Sequence, residues 1–525
     1  MQRPQFRLSL LITLAGLQLF CVASFSVAEP LPQSDLQFLN RVSYGPTLET
    51  VDALRKLGRQ KYIDQQLQYQ GDKALPEAVR AEIEALNISE THMVALVKEY
   101  EAEHKLLKSA TGNTDRQALK KDLHKKTQSM LLETFQRRTL RALYSRNQLQ
   151  EMLTWFWFNH FNVFQGKGAV KVLIPDYEEY AIRPHVLGKF RDLLLATLKH
   201  PAMLVYLDNR QNHAGAINEN YARELMELHT LGVNGGYSQK DVQELARILT
   251  GTGVHFGDRP IRPPRHGPMQ FVQEDLFVFN PRQHDGGPKT FLGAYFGGEH
   301  NFQEVIDAVS LLARHPSTAK FISTKLAVYF LGDTPPDDVI ESMAKIFTRS
   351  DGDIAKTLES LFASSAFTGG DFAGKEFKDP VQYLYSSLRL LYADQVIANF
   401  EPPLHWLNHL GEPLYGKQTP DGYGLREKDW ASSDQMTKRF DIARQMVNSR
   451  GNLFFALGKE RSDVDEDQLR HARRQAKDSH PIDARAVQEM VTPLLSPNTQ
   501  ETLKKTATFD EWATFLLSSP EWMMR

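Results

Sequence analysis

The chain has 525 residues, with Lys+Arg 62 against Asp+Glu 64 and a formal charge of −2. That balance lacks the basic excess that phosphate-backbone binding needs, which excludes nucleic acid as a partner. Its single cysteine is Cys21, so the chain beyond it can form no disulfide, thiolate nucleophile or cysteine metal site.

At the N-terminus, Arg3 and Arg7 precede an apolar run from Leu8 to Phe20, and small residues lead to Ser26-Val27-Ala28. This order predicts a secretory signal over residues 1–28, cut before Glu29. The apolar run is about 13 residues, short of the roughly 20 that span a bilayer. Phe20 is also too large for the position preceding a lipidated Cys21. The expected mature protein is therefore periplasmic or secreted, thiol-free and not stably inserted in a membrane. It is long enough to bury a large core.

Residues 29–150 read as N-terminal helices. Within 77–158 helix formers dominate, and the break at Thr111-Gly112-Asn113-Thr114-Asp115 predicts a long helical hairpin. Residues 151–330 hold ten of the 17 histidines and several polar clusters at helical spacing. There, Trp155-Phe156-Trp157-Phe158-Asn159-His160-Phe161 is either an aromatic platform for sugar rings or a core helix. Asn159, His160 and Trp157 are accordingly candidate substrate-binding residues.

The segment Asn218 to Gly232 predicts a helix stopped at its glycine. Tyr221, Leu225 and Leu228 form its apolar stripe, while Asn220, Glu224 and Glu227 share the adjacent face. Carboxylates at a core margin need cations or donors. Two answers stay open: an Arg–Glu network drawing on Arg183, Arg191, Arg223 and Arg247, or a metal site assembled from several segments. Glu227 and His229 lie about 200° apart around a helix and cannot ligate one ion unless the helix end unwinds.

Ser238 and Asp241 form a capping box for the next helix. Leu276–Phe279 and Thr290–Leu292 are expected to pair as a β-hairpin across a turn containing His284-Asp285. That pair is either an acid/base element facing a cleft or a turn aspartate beside a surface histidine. Residues 331–525 return to helices. Ser317, Asp337 and Asp353 open helical segments, others run about 380–393, 434–449 and 509–518, and 410–433 is a long loop. The fold class is mainly α: a multi-helical globular protein with a small β-hairpin insertion. Nucleophile-elbow, zincin, P-loop and haem-attachment motifs are missing, so the motifs name no reaction and leave the cofactor unknown, a metal or cofactor protein staying a third reading.

Long runs nevertheless resemble one family. They are Trp155 to Phe164, Ile182 to Phe190, His200 to Asn209, Asn218 to Gly232, Tyr237 to Val242, Ala246 to Gly251, His284-Asp285 and His315 to Ala319. Together they are similar to the bacterial exported family catalogued as domain of unknown function eighteen hundred. The likeness spans about 35 to 520, with Thr252 where the family usually has tryptophan. The resemblance implies export, a helical fold and an exported companion protein resembling alkaline phosphatases and sulfatases, but brings no reaction.

The expected function is a hydrolase or lyase acting on an extracellular or envelope polymer such as a polysaccharide. Glu224 or Glu227 would be its acid/base, His284 and Asp285 would assist, and Arg183 and Arg223 would orient an anionic group. The alternative is a non-catalytic scaffold or partner of the companion protein.

Overall fold

Local capping chemistry starts many of the helices. The computed structural model describes residues 31–257, 261, 270–298, 300–370, 372–455, 466–479 and 482–525. The signal-peptide reading of residues 1–28, with Cys21, lies outside them. Described in chain order, the elements that position the site begin with α1 (Met93–Ser109) and α2 (Asn113–Tyr144). They form the expected hairpin, joined by only three residues, and Lys126 on α2 pairs with Glu99 and Glu103 on α1. Next come α3 (Gln148–His160), α4 (Phe190–Lys199), α5 (Asn220–Glu227) and α6 (Gln239–Ile248). The capping box predicted for α6 is present, Ser238 accepting from the Asp241 amide and Asp241 from that of Ser238.

Five short strands follow: β1 (Thr252–Val254), β2 (Val272–Glu274), β3 (Phe277–Phe279), β4 (Lys289–Phe291) and β5 (Ala294–Phe296). The expected pairing of 276–279 with 290–292 is not what forms. Instead β3 is the centre of an antiparallel β1-β3-β2 sheet, and β4 pairs with β5. The reason is local turn chemistry. Leu292 and Gly293 have φ of 47° and 79°, the positive pair of a two-residue I′ turn. Such a turn folds β4 onto the segment that follows it, at less entropic cost than closing the longer loop back to β3.

The C-terminal half supplies α7 (Gln303–Arg314), α8 (Pro316–Leu331), α9 (Asp337–Arg349) and α10 (Ile354–Phe362). It also supplies α11 (Pro380–Tyr392), α12 (Ser433–Asn448) and α13 (Phe509–Leu517). Helix α8 starts one residue before Ser317. His315 is its cap, the ring Nδ1 accepting from the Ser317 amide at 3.1 Å, and Pro316 fills the first position, where no N–H is needed. Asp353 caps α10 as read from the sequence.

With 65% helix and 5% strand the class is mainly α, and residues 31–525 make one compact unit. Every residue of α3 and of α11 is buried. These two helices run through the core with the other helices packed around them, and their buried polar residues, such as Glu151 and Arg389, are met by partners inside it. Among the described residues, no helix is long and apolar enough to cross a membrane.

Candidate functional site

The polar end of α3 is where this core meets the surface. Trp157 is fully buried, its Nε1 donating to the Val186 carbonyl at 3.2 Å. Trp155 is buried as well and donates towards Glu412 Oε1 at 3.4 Å. The run 155–161 is therefore core and cannot stack a sugar ring, which removes Trp157 as a binding residue.

Its polar neighbours have definite tasks. Asn159 donates to the Tyr423 carbonyl at 2.9 Å and accepts from the Tyr423 amide at 2.6 Å, mimicking a strand neighbour. Asn162 donates to the carbonyls of Lys417 and Thr419, and Tyr206 Oη to that of Gln418 at 2.8 Å. These bonds fasten the 411–426 loop over the helix end. The fastening requires Gly422, because a Cβ there would stand 2.1 Å from the Asn159 carbonyl oxygen.

His160 lies beneath that loop. Its Nε2 is 3.1 Å from the His229 carbonyl, which can only accept, so Nε2 carries the proton. Nδ1 is then left to accept from Lys325 Nζ at 2.9 Å. Burial first, and then Lys325, push the His160 imidazole well below its usual range. Burial also lowers the Lys325 amine to about 8, with Asp421 opposing the shift.

His229 reaches the same place because α5 ends at Glu227 and the chain then widens. The amides of Leu231 and Gly232 both bond to the Met226 carbonyl. The helix is thus shorter than its run to Gly232 suggested, and the unwound end turns the His229 ring inward against Phe161, with ring centroids 5.1 Å apart. His229 is 1% exposed and neither of its ring nitrogens has a hydrogen-bond partner. Burial holds it neutral, at about 3.

Glu224 and Glu227 stand half-buried on α5. Among the described residues neither carboxylate forms a hydrogen bond or an ion pair. Burial, with Glu227 adding to it, raises the Glu224 carboxyl above its usual range. Asp421, on the fastened loop, acts electrostatically on both Glu224 and Lys325. Tyr206 and Tyr237 complete the surroundings, each raised by burial and by these carboxylates. Arg223 lies at the rim but is engaged by Glu219 and Gln239, each at 3.0 Å.

The structure separates the remaining candidates from this cluster. Arg183 is buried, its Nη1 donating to both Glu151 oxygens at 2.7 Å. It belongs to a network of Arg137, Arg138 and Arg141 with Glu178 and Glu179. Burial opposes ionisation of Glu179, yet Arg141, Arg183 and Arg137 outweigh it and hold the carboxyl at about 2. Arg183 therefore cannot reach a substrate.

His284 and Asp285 do not face a cleft together. The His284 ring is 2% exposed, Nδ1 bonding the Thr250 carbonyl at 2.8 Å and Nε2 bonding Glu304 at 2.9 Å. Asp285 takes a bidentate bond from Arg247 at 2.8 and 3.1 Å, which chiefly holds its carboxyl at about 2. It also accepts from the Gly287 amide, as a turn aspartate does. Both side chains are spent on fixing the β3–β4 connection to α6 and α7. Thr252 is used in the same way, receiving the Asn209 amide at 2.6 Å.

Of the residues named from the sequence, Asn159, His160, Glu224 and Glu227 lie on α3 and α5 in this region, where the structure adds Lys325, Asp421, Tyr206 and the inward His229, none of them read from the sequence as a site residue. Lys325 did leave a signal, as a lone cation inside the apolar stretch Ala319 to Phe330. Asp421 left none. Among the described residues no group of three histidines, cysteines or carboxylates is arranged to hold a metal. The family described as Protein of unknown function (DUF1800) matches residues 37–524. The chain belongs to this family. No curated protein and no solved structure matches it.

Proposed function

We propose that the chain is an exported hydrolase or lyase that cleaves an envelope polymer by acid–base chemistry between Glu224 and Lys325. The observation carrying this reading is that both nitrogens of His229 are without a hydrogen-bond partner beside the half-buried carboxylates of Glu224 and Glu227, whereas Arg183 is buried against Glu151 and His284 and Asp285 are held by Glu304 and Arg247. A raised carboxyl at Glu224 and a lowered amine at Lys325, both acted on by Asp421, are an acid and a base poised towards neutral pH. Lys325 is held through one N–H to His160, so its deprotonated lone pair is available to take a proton while Glu224 supplies one. His229 offers one donor and one acceptor to a bound group. The carboxylates Glu224, Glu227 and Asp421 favour a neutral polymer over an anionic one.

The test incubates the purified protein with neutral and anionic polysaccharides and peptidoglycan and measures new chain ends. Glu224→Gln and Lys325→Met should each lower the rate on the order of 10²-fold or more while melting normally. Cleavage that both variants retain would sink the proposal.

A second reading, a scaffold or partner of the exported phosphatase/sulfatase-like companion, is favoured by how much charge serves only internal pairing. Besides the Arg183 network, the buried Arg525 clasps Glu376 at 2.7 and 2.8 Å. Under this reading a stoichiometric complex with the companion is recovered, and Glu224→Gln leaves biological output unchanged.

A further inference from the structure

The aromatic platform that the 155–161 run cannot provide has a counterpart at the other end of this region. Between the β4–β5 hairpin and α7 lies a cleft of about 520 Å³, open to solvent. One wall is β5, where Tyr295 is 74% exposed, while Phe291 on the paired strand is fully buried. Strand alternation therefore turns the Tyr295 ring outward while its neighbours anchor the hairpin. The opposite wall is a single stripe of α7: Gln303, Asp307, Ser310 and Arg314. Spacings of four, three and four residues keep them on one helix face over about 16 Å.

The stripe is already shaped. Gln303 Nε2 donates to Asp307 Oδ1 at 2.8 Å, and Arg314 is steadied by Asp351 at 2.8 Å. The floor is rigid too. Glu304 lines it, locked between His284 Nε2 at 2.9 Å and Lys289 Nζ at 2.8 Å. Arg314 is offset by Asp351 and Glu304 by Lys289, which leaves the carboxylate of Asp307, held by the neutral Gln303 amide, as the uncompensated charge of the lining. A carboxylate, an amide, a hydroxyl and a guanidinium on one wall face an exposed phenol ring on the other.

We infer that this cleft is a binding subsite for a neutral saccharide chain. One sugar face would lie on Tyr295 and the ring hydroxyls would bond the α7 stripe. Planar amide, carboxylate and guanidinium groups can each engage two adjacent hydroxyls, and the apolar face of a pyranose suits an aromatic ring. The uncompensated Asp307 carboxylate favours a neutral ligand over a uronate or sulfated one. The cleft is a grip on the polymer and needs no chemistry at Glu224, so the two readings can fail separately.

Affinity electrophoresis of the full chain through gels containing xyloglucan, hydroxyethylcellulose, mannan or dextran tests the inference, with alginate as the anionic arm. Retardation is expected in at least one neutral gel, and it should persist in Glu224→Gln. Tyr295→Ala and Asp307→Ala should each weaken it roughly three- to tenfold, and Tyr295→Phe should keep most of it. Both altered side chains lie on the surface, and unchanged melting curves confirm folding. Retardation in none of the neutral gels, in alginate alone, or equal in wild type and Tyr295→Ala would overturn the inference. So would a Tyr295→Ala variant that loses a protein partner while binding every glycan as before.

Discussion

Replacing Arg183 by Met asks whether its guanidinium holds the core or reaches a ligand. The side chain and that of Glu151 are each 1% exposed, and Nη1 lies 2.7 Å from both Glu151 oxygens. Without it, the described partner left to the Glu151 carboxylate is the Gln150 amide at 3.5 Å. Orphaning one half of such a buried pair costs about 3–5 kcal/mol. At about 2.1 cal/mol/K per residue, the unfolding entropy of a unit the size of Leu31–Arg525 is about 1 kcal/mol/K. The melting temperature should therefore fall by about 3–5 °C in scanning calorimetry at a fixed scan rate. The double variant Arg183→Met with Glu151→Leu removes both charges and should recover about half of that loss or more. A single variant melting within about 1 °C of wild type would refute the buried-network account and return Arg183 to the list of ligand-facing residues.

Three further outcomes follow from the geometry. Gly232→Ala forces a side chain onto a φ of 80° and sets its Cβ 2.9 Å from Phe321 Cδ2. It should cost about 1–2 kcal/mol, and equal thermal stability would show that α5 can end another way. Asp285→Ala strips Arg247 of its bidentate partner and should lower stability by about 1–3 kcal/mol. Amide exchange should quicken in the β4–β5 hairpin, and unaltered exchange there would contradict the anchoring role. For Lys325, the folded amine sits near 8 and the unfolded one near 10.5, so the unfolded chain holds the proton more tightly between those values. Wild type should thus gain about 1–3 kcal/mol relative to Lys325→Met as pH rises from about 8 to 10.5. A flat difference between the two curves would mean that the amine is solvated.

Much of the candidate site was legible because its residues break a pattern. Glu224 and Glu227 interrupt the margin of an amphipathic stripe, and Asn159 and His160 close an otherwise aromatic helix. The pairing of β4 was misread although Leu292-Gly293 stood in plain view, because a non-glycine residue at positive φ is hard to anticipate. The helix end at Glu227 was misjudged for a related reason: Gly232 does stop the segment, but through a wide turn that frees four residues before it.

By itself the sequence determined what is local. Helical periodicity, the Ser238 and Asp353 caps, the break between α1 and α2, and the mainly α class all rest on interactions within a few residues. Tertiary structure alone decided which polar side chains are spent and which are spare. Lys325 and His160 meet from 165 residues apart, and Asn159 and Tyr423 from 264. Burial and pairing decide which of these side chains is free to meet a ligand. Both are properties of the neighbours that folding brings in, so Arg183 and Glu224, equally polar in sequence, end with opposite tasks.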